Sequence, residues 1–405
     1  MNEEPTLRQT LSLPYITFYG LATILGAGIY VLVGEIAGQA GLLAPVSFLI
    51  AAIAASFTAV SYAELSARIP RSAGEAAYVE DAFGRKGLTV LAGVLVVFVV
   101  ITSSATLANG FAGYFRFFFP VPAWLIVTAA MVSMGLLAAW GIKESAVSAA
   151  ILTLIEISGL IIIIYVSRDS LSTLPERLPE IFRDVGRDTS IGVFMGAFLA
   201  FFAFIGFEDM VNVAEEVKDP QRNMPLGIFL AFVTSTILYI LVALTAVLSL
   251  PLPELIGNAT PLATIYERST GKSPVLITAI SLFAVVNGVL VQVIVASRVL
   301  YGLSRQGHLP ELFGRINERT KTPVFSTVFV VFITLVLALW LPLVTLAQIA
   351  SFVVLIVYSL INLSLVIIKK RYPSPNGVKT YPGWIPVAGF VICAGIIIFR
   401  AVAVF

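Results

Sequence analysis

Charge is scarce in this chain. Asp, Glu, Lys and Arg together make up 12% of its 405 residues, against about 25% in a soluble domain. Hydrophobic residues fill 59% and the mean hydropathy is +0.98, which excludes a water-soluble globular fold and points to an integral membrane protein. There is one cysteine, Cys393, so no internal disulfide can form. There is one histidine, His308, beside Pro310 in a loop, where it reads as a turn residue rather than a ligand. No His/Cys cluster suggests a metal site, no nucleophile–base constellation is present and no glycine loop fits a phosphate, so an enzyme is not expected. Net charge is +2 with no basic stretch, which leaves no nucleic-acid partner in view. The first thirteen residues contain Glu3, Glu4 and Pro5 without a basic lead-in, so no cleavable signal is expected and the first span would serve as the insertion signal.

What the chain has is long apolar runs. Eleven are about 18 residues or longer, at roughly 14–38, 43–67, 88–118, 122–141, 146–167, 190–214, 225–249, 274–303, 324–341, 345–368 and 384–405. Barrel strands would be segments of about ten residues with alternating polarity, so these read as helices and the fold as all-α. Placing the N-terminus in the cytoplasm puts 16 Lys and Arg inside and seven outside, the orientation favoured by the positive-inside rule.

Glycine interrupts two of the runs at mid-depth: Gly26-Ala27-Gly28 in the first, and Gly206 in the sixth, followed by Glu208 and Asp209. A broken helix in lipid exposes N–H and C=O groups that protein, water or ligand must satisfy. Each break opens a five-span set. A polar helical stretch (72–83, and again 252–270) precedes the long third member of each set. Five is odd, so the second copy enters the membrane inverted, which places a site at mid-membrane between the halves. The expected organisation is a single transmembrane domain over 1–405. Its first repeat covers about 14–167, its second about 190–368, and an extra span about 384–405. At the first break, the half-helix beginning near Ile29 offers free N–H groups to a carboxylate. The inner half-helix and Ala203–Gly206 offer carbonyls to an ammonium group. Close helix packing by small residues is the competing explanation of a single Gly-x-Gly.

Several segments resemble, in order, the amino acid–polyamine–organocation (APC) family, closest to its bacterial members related to the cationic amino acid transporters. They are Gly26-Ala27-Gly28-Ile29-Tyr30; Tyr62-Ala63-Glu64-Leu65 with Pro70-Arg71-Ser72-Ala73-Gly74-Glu75-Ala76-Ala77-Tyr78; Phe201-Phe202-Ala203-Phe204-Ile205-Gly206-Phe207-Glu208 with Glu215 to Arg222; and Ser297-Arg298-Val299-Leu300-Tyr301 with Ser304 to Pro310. The likeness runs over about 14–370. It implies the LeuT-like fold of five plus five inverted spans with broken spans 1 and 6, alternating access and an amino acid substrate. Two departures stand out. The family usually has twelve spans, against eleven here, and its loop signature has two glycines where this chain has Gly74-Glu75.

Glu156 lies in the middle of span 5, where an acid is a functional candidate by default. In proton-coupled relatives a lysine of span 5 replaces sodium, and Glu156 aligns with it. Sodium-driven relatives use hydroxyls of span 8, where this chain reads Ala284-Val285-Val286-Asn287-Gly288. Glu156 is therefore a proton carrier, a structural acid bonded to a neighbouring span, or part of an unconventional cation site. Glu208 is either a gate or proton-linked acid or a cap on the second half of span 6. The expected substrate-binding residues are Gly26, Ala27, Gly28, Ile29, Ala203, Phe204, Ile205, Gly206 and Phe207. Phe204 would cover the pocket as gate, and Glu156 and Glu208 would couple to protons. Thr102, Ser103, Ser104, Thr106 and Asn109 could line the pocket. No cofactor or metal is expected beyond H+ as coupling ion.

The resulting expectation is a proton-coupled importer of amino acids, neutral rather than cationic, in the cell membrane as a monomer or homodimer. An amino acid exchanger or a polyamine or organic amine transporter is the alternative, and a non-transporting amino acid sensor a further one.

Overall fold

The computed structural model describes residues 9–26, 28–71, 74–140, 146–182, 186–375 and 377–404. In chain order the helices are α1 (Leu13–Leu25), α2 (Gly28–Ala40), α3 (Ala44–Arg68), α4 (Gly74–Phe83), α5 (Lys86–Phe115), α6 (Ala123–Trp140), α7 (Ala146–Val166), α8 (Arg168–Ser172) and α9 (Leu174–Ile181). They continue with α10 (Arg187–Ala200), α11 (Pro220–Ser249), α12 (Leu252–Leu255), α13 (Pro261–Thr270), α14 (Val275–Arg305), α15 (Val324–Trp340), α16 (Leu343–Arg371) and α17 (Trp384–Val404). Among the described residues the only β feature is one bridge, Leu11 to Val217.

Among the described residues eight helical stretches are long and apolar enough to cross a membrane, the first of them Gly28–Arg68, where α2 and α3 join through one 3-10 turn. Three shorter apolar helices accompany them: Leu13–Leu25, Ala150–Val166 and Val324–Trp340. The protein is thus a polytopic helical membrane protein. Two of the short helices have simple causes. α1 stops at the Gly26 break, and α15 sits between Pro323 and Leu341-Pro342. The polar stretch expected over 252–270 is two helices, α12 and α13, because Gly257 at φ +69° turns the chain between them.

The helices pack in a definite pattern. α3 lies along α11, α5 along α14 and α6 along α15. α1 packs on α11 and α7, and α10 on α3 and α16. α5 also contacts α16, and α14 contacts α7.

Polar side chains fix one corner of this bundle. Ser61 Oγ donates to Asn362 Oδ1 at 2.6 Å, and Asn362 Nδ2 donates to Thr58 Oγ1 at 2.8 Å, joining α3 to α16. One turn on, fully buried Glu64 accepts from Arg68 Nη2 at 2.7 Å, from Lys369 Nζ at 2.8 Å and from the Tyr381 amide at 3.0 Å. The carboxylate thereby ties α3, the end of α16 and the segment leading into α17. Removing one partner of a buried ion cluster leaves uncompensated charge. Glu64→Ala should therefore destabilise the fold by on the order of 3–5 kcal/mol, seen as a large fall in the melting temperature of the detergent-solubilised protein.

Candidate functional site

The two breaks meet. α1 ends at Leu25 with Gly26 as its cap, and α2 begins at Gly28. In the sixth apolar run α10 stops at Ala200, a 3-10 turn follows over Phe201–Phe204, and the chain then reverses at Gly206, with φ +130°. The second half, Phe207–Glu216, is 3-10 rather than α. A methyl group added at Gly28 would lie 3.1 Å from the Cα of Ala203, and one added at Gly206 would overlap the Thr23 carbonyl. Gly206 therefore answers two demands at once: a dihedral other residues avoid and backbone-to-backbone approach. The ends far from the breaks are joined as well. The amides of Thr10 and Leu11 donate to the Glu216 carbonyl at 2.9 Å, and the Lys218 amide donates to the Leu11 carbonyl at 2.8 Å. α1 and the 3-10 half of the sixth run therefore form one paired unit.

Of the sequence candidates, Gly26, Gly28, Ile29, Ala203, Phe204, Ile205, Gly206 and Phe207 converge on this junction. Ala27 lies outside the described residues. Ile29, Phe204 and Phe207 are fully buried. The expected free carbonyls at the end of α1 are not all free, since Tyr239 of α11 donates its hydroxyl to the Ile24 carbonyl at 2.5 Å. At the other side, α2 starts at Gly28, whose amide donates to the Gly26 carbonyl; the first-turn amides of a helix suit an anion.

Phe204 packs on Phe232 and Tyr239, with ring centroids 5.5 and 5.3 Å away. Phe207 packs on Tyr62, Phe232 and Tyr358 at 5.6, 5.7 and 5.2 Å. Neither faces lipid. Both rings belong to one aromatic layer beneath the breaks.

Glu208 is buried. Its Oε2 accepts the Gly206 amide at 2.8 Å and the Tyr358 hydroxyl at 2.7 Å. It caps the break, and through Tyr358 it also reads the position of α16. Buried Asp209 is beside it, and Glu75 of α4 approaches from the loop, accepting the Tyr62 hydroxyl at 3.2 Å. Burial, together with the neighbouring Glu208 charge, pushes the Glu75 carboxyl up to about 7, although the Tyr62 hydrogen bond acts in the opposite direction.

Glu156 is buried in α7 and accepts Asn287 Nδ2 of α14 at 3.1 Å. Its backbone carbonyl receives the Tyr30 hydroxyl at 2.6 Å, and the Tyr30 carbonyl receives that of Tyr114 at 2.7 Å. The first turn of α2 is thus tied to the helix that carries Glu156. Of the span 3 candidates, Thr102 and Thr106 bond to carbonyls of their own helix, and Asn109 reaches the Leu341 carbonyl at 3.4 Å. The hydroxyls of Ser103 and Ser104 are buried without partners among the described residues. The sequence reading missed the tyrosines 30, 114, 239 and 358. Their signal was available, because a buried tyrosine needs a partner for its hydroxyl and free carbonyls at helix breaks are ready acceptors.

The site is thus that of a polytopic helical protein with two interrupted helices packed break against break and acids buried beside them. The chain is a member of the amino acid permease family, whose sequence profile matches residues 11–405. It is 31% identical to the vacuolar cationic amino acid transporter 2 of Arabidopsis thaliana, over 91% of this chain and 61% of that protein. It is 27% identical to the branched-chain amino acid permease BcaP of Bacillus subtilis, over 96% of this chain and 87% of the permease. It is 28% identical to the methylthioribose transporter of the same bacterium, over 98% and 88%. The chain spans about three fifths of the length of the plant protein.

Two outcomes check the geometry. Gly206→Ala should abolish function and lower stability sharply, because it combines strained φ with overlap on Thr23. Gly302→Ala in α14, where an added methyl meets nothing within 4 Å, should leave thermal stability and uptake unchanged. Glu75 binds its proton more tightly when folded than unfolded, so its stabilising contribution is complete below about pH 4.5 and is lost as pH rises through about 7. Glu75→Gln should flatten that part of a melting-temperature profile recorded from pH 5 to 8.

Proposed function

We propose that this chain is a secondary transporter that carries amino acids across a membrane by alternating access, importing them with protons. The observation that carries this reading is the direct packing of two mid-helix breaks, with α2 amides on one side and carbonyls of the 201–206 turn on the other. A zwitterion's carboxylate and ammonium suit those two sets. The packing pattern supports a LeuT-like five-plus-five repeat within eleven spans. Exchanging α1/α2, α3, α5, α6 and α7 for the sixth run, α11, α14, α15 and α16 maps α1–α11 onto α10–α3 and α5–α16 onto α14–α7. The pairs α3–α11, α5–α14 and α6–α15 map onto themselves.

Glu156 is the proposed proton carrier, held by Asn287 at the helix interface that must rearrange. Glu208 and Tyr358, with the aromatic layer, form the closure on the side of α4, and Phe204 is the gate over the substrate. The distribution of Lys and Arg supports a cytoplasmic N-terminus, and the proposed location is the cell membrane. Neutral side chains suit the buried aromatic surroundings, in line with the branched-chain substrate that BcaP is named for. A neutral thio-sugar is the second reading, favoured by the likeness to the methylthioribose transporter over nearly the whole chain.

Purified protein in liposomes tests the reading. Labelled leucine, lysine and methylthioribose would each be offered with an inward proton gradient, a sodium gradient or preloaded amino acid. Concentrative leucine uptake with the proton gradient alone is expected, and Glu156→Gln should abolish accumulation. Uptake only into preloaded liposomes would make the protein an exchanger, and dependence on sodium would remove Glu156 from the coupling role.

A further inference from the structure

An apolar groove of about 390 Å³ runs between α3, α10 and α17. Its walls include Ile50 and Ala54 of α3, Phe198 and Phe201 of the sixth run, and Ile396 and Phe399 of α17, with no charged residue among them. Arg400 stands at one end. Its guanidinium lies 5.4 Å over the Phe198 ring, Nη2 donates to Gln348 Oε1 at 3.1 Å, and Nη1 lies 3.8 Å from Met195 Sδ. Among the described residues no carboxylate pairs with it. Around it, Met195 lies in the second half of α10 and Gln348 near the start of α16, and Arg400 itself stands within the last apolar run. An arginine at that depth is retained where it meets an opposite charge or can reach the interface.

We propose that this groove binds an anionic phospholipid, with one acyl chain between α3, α10 and α17 and the headgroup phosphate on Arg400. An arginine fork has donors left for two phosphate oxygens after bonding Gln348. The groove offers a chain only apolar surface. A second copy of this protein fits less well, since a twofold contact here would bring two uncompensated guanidinium groups to one interface. The lipid would brace the arm of the broken sixth run. Phe201 forms part of the groove wall, and its ring is 5.9 Å from that of Tyr358, which in turn donates to Glu208. Binding is read without transport, so the inference stands or falls apart from the proposed function.

The full chain, purified in mild detergent, would be given equal amounts of phosphatidylglycerol and phosphatidylcholine with matched acyl chains. Retained lipid would then be counted by native mass spectrometry. Retention of one phosphatidylglycerol is expected, preferred about fivefold over phosphatidylcholine. Arg400→Gln should bring the ratio close to one, and Arg400→Lys should restore part of it. Gly395 lines the groove with open space around its Cα, so Gly395→Phe should evict both lipids. Ala54→Leu serves the same purpose if that variant does not accumulate. Equal retention of the two lipids, an unchanged preference in Arg400→Gln, or undiminished binding in the filled groove would overturn the proposal. So would efficient disulfide formation between copies carrying Ile396→Cys.

Discussion

The contact between Gly206 and the end of α1 is the constraint on which the rest of the structure depends. Two helices are interrupted at the depth where water is scarce, and each interruption leaves backbone groups that lipid cannot satisfy. The protein meets this by placing the breaks against each other and bringing tyrosine hydroxyls and one carboxylate to the groups that remain. Tyr239 takes the Ile24 carbonyl, and Glu208 takes the Gly206 amide. Any larger residue at 206 would separate the two breaks and expose both.

Around that contact the molecule divides into parts held firmly and parts held lightly. α3, α16 and the approach to α17 are locked by Glu64, Lys369 and Asn362, whose polar atoms are satisfied within the bundle. α1 and the 3-10 half of the sixth run are tied to each other through Thr10, Leu11 and Lys218. Their side-chain bonds to the frame are single ones, from Tyr239 to the Ile24 carbonyl, from Thr153 to the Phe18 carbonyl and from Tyr358 to Glu208. The proposed transport cycle needs this division: a frame that keeps its shape and a paired unit that tilts within it.

Much of this was legible in the sequence. Apolar runs placed the helices, and glycine at mid-run located both breaks, because a long span in lipid admits few other causes of interruption. The acids Glu156 and Glu208 stood out for their depth. The family membership foreseen from ordered motifs agrees with the profile match. What could not be read was pairing. Nothing in the local sequence tells Tyr239 to seek Ile24, or Asn287 to seek Glu156, since those partners lie 215 and 131 residues away. The 3-10 geometry of Phe207–Glu216 was equally hidden, for its composition would suit an α-helix. The pull of Leu11 on Val217 and of the Gly206 turn sets its pitch instead.

That pitch has a mechanical meaning. A 3-10 helix rises about 2.0 Å per residue and an α-helix about 1.5 Å. The ten residues from Phe207 to Glu216 therefore reach about 20 Å where α-helix would reach about 15 Å. The segment is a drawn spring, clamped at one end by the Glu208 cap and at the other by the N-terminal strap. Because α1 is a helix of fixed length, bonded to this segment at Leu11 and packed on Gly206 at its other end, rewinding the segment by about 5 Å would cost one of those two attachments.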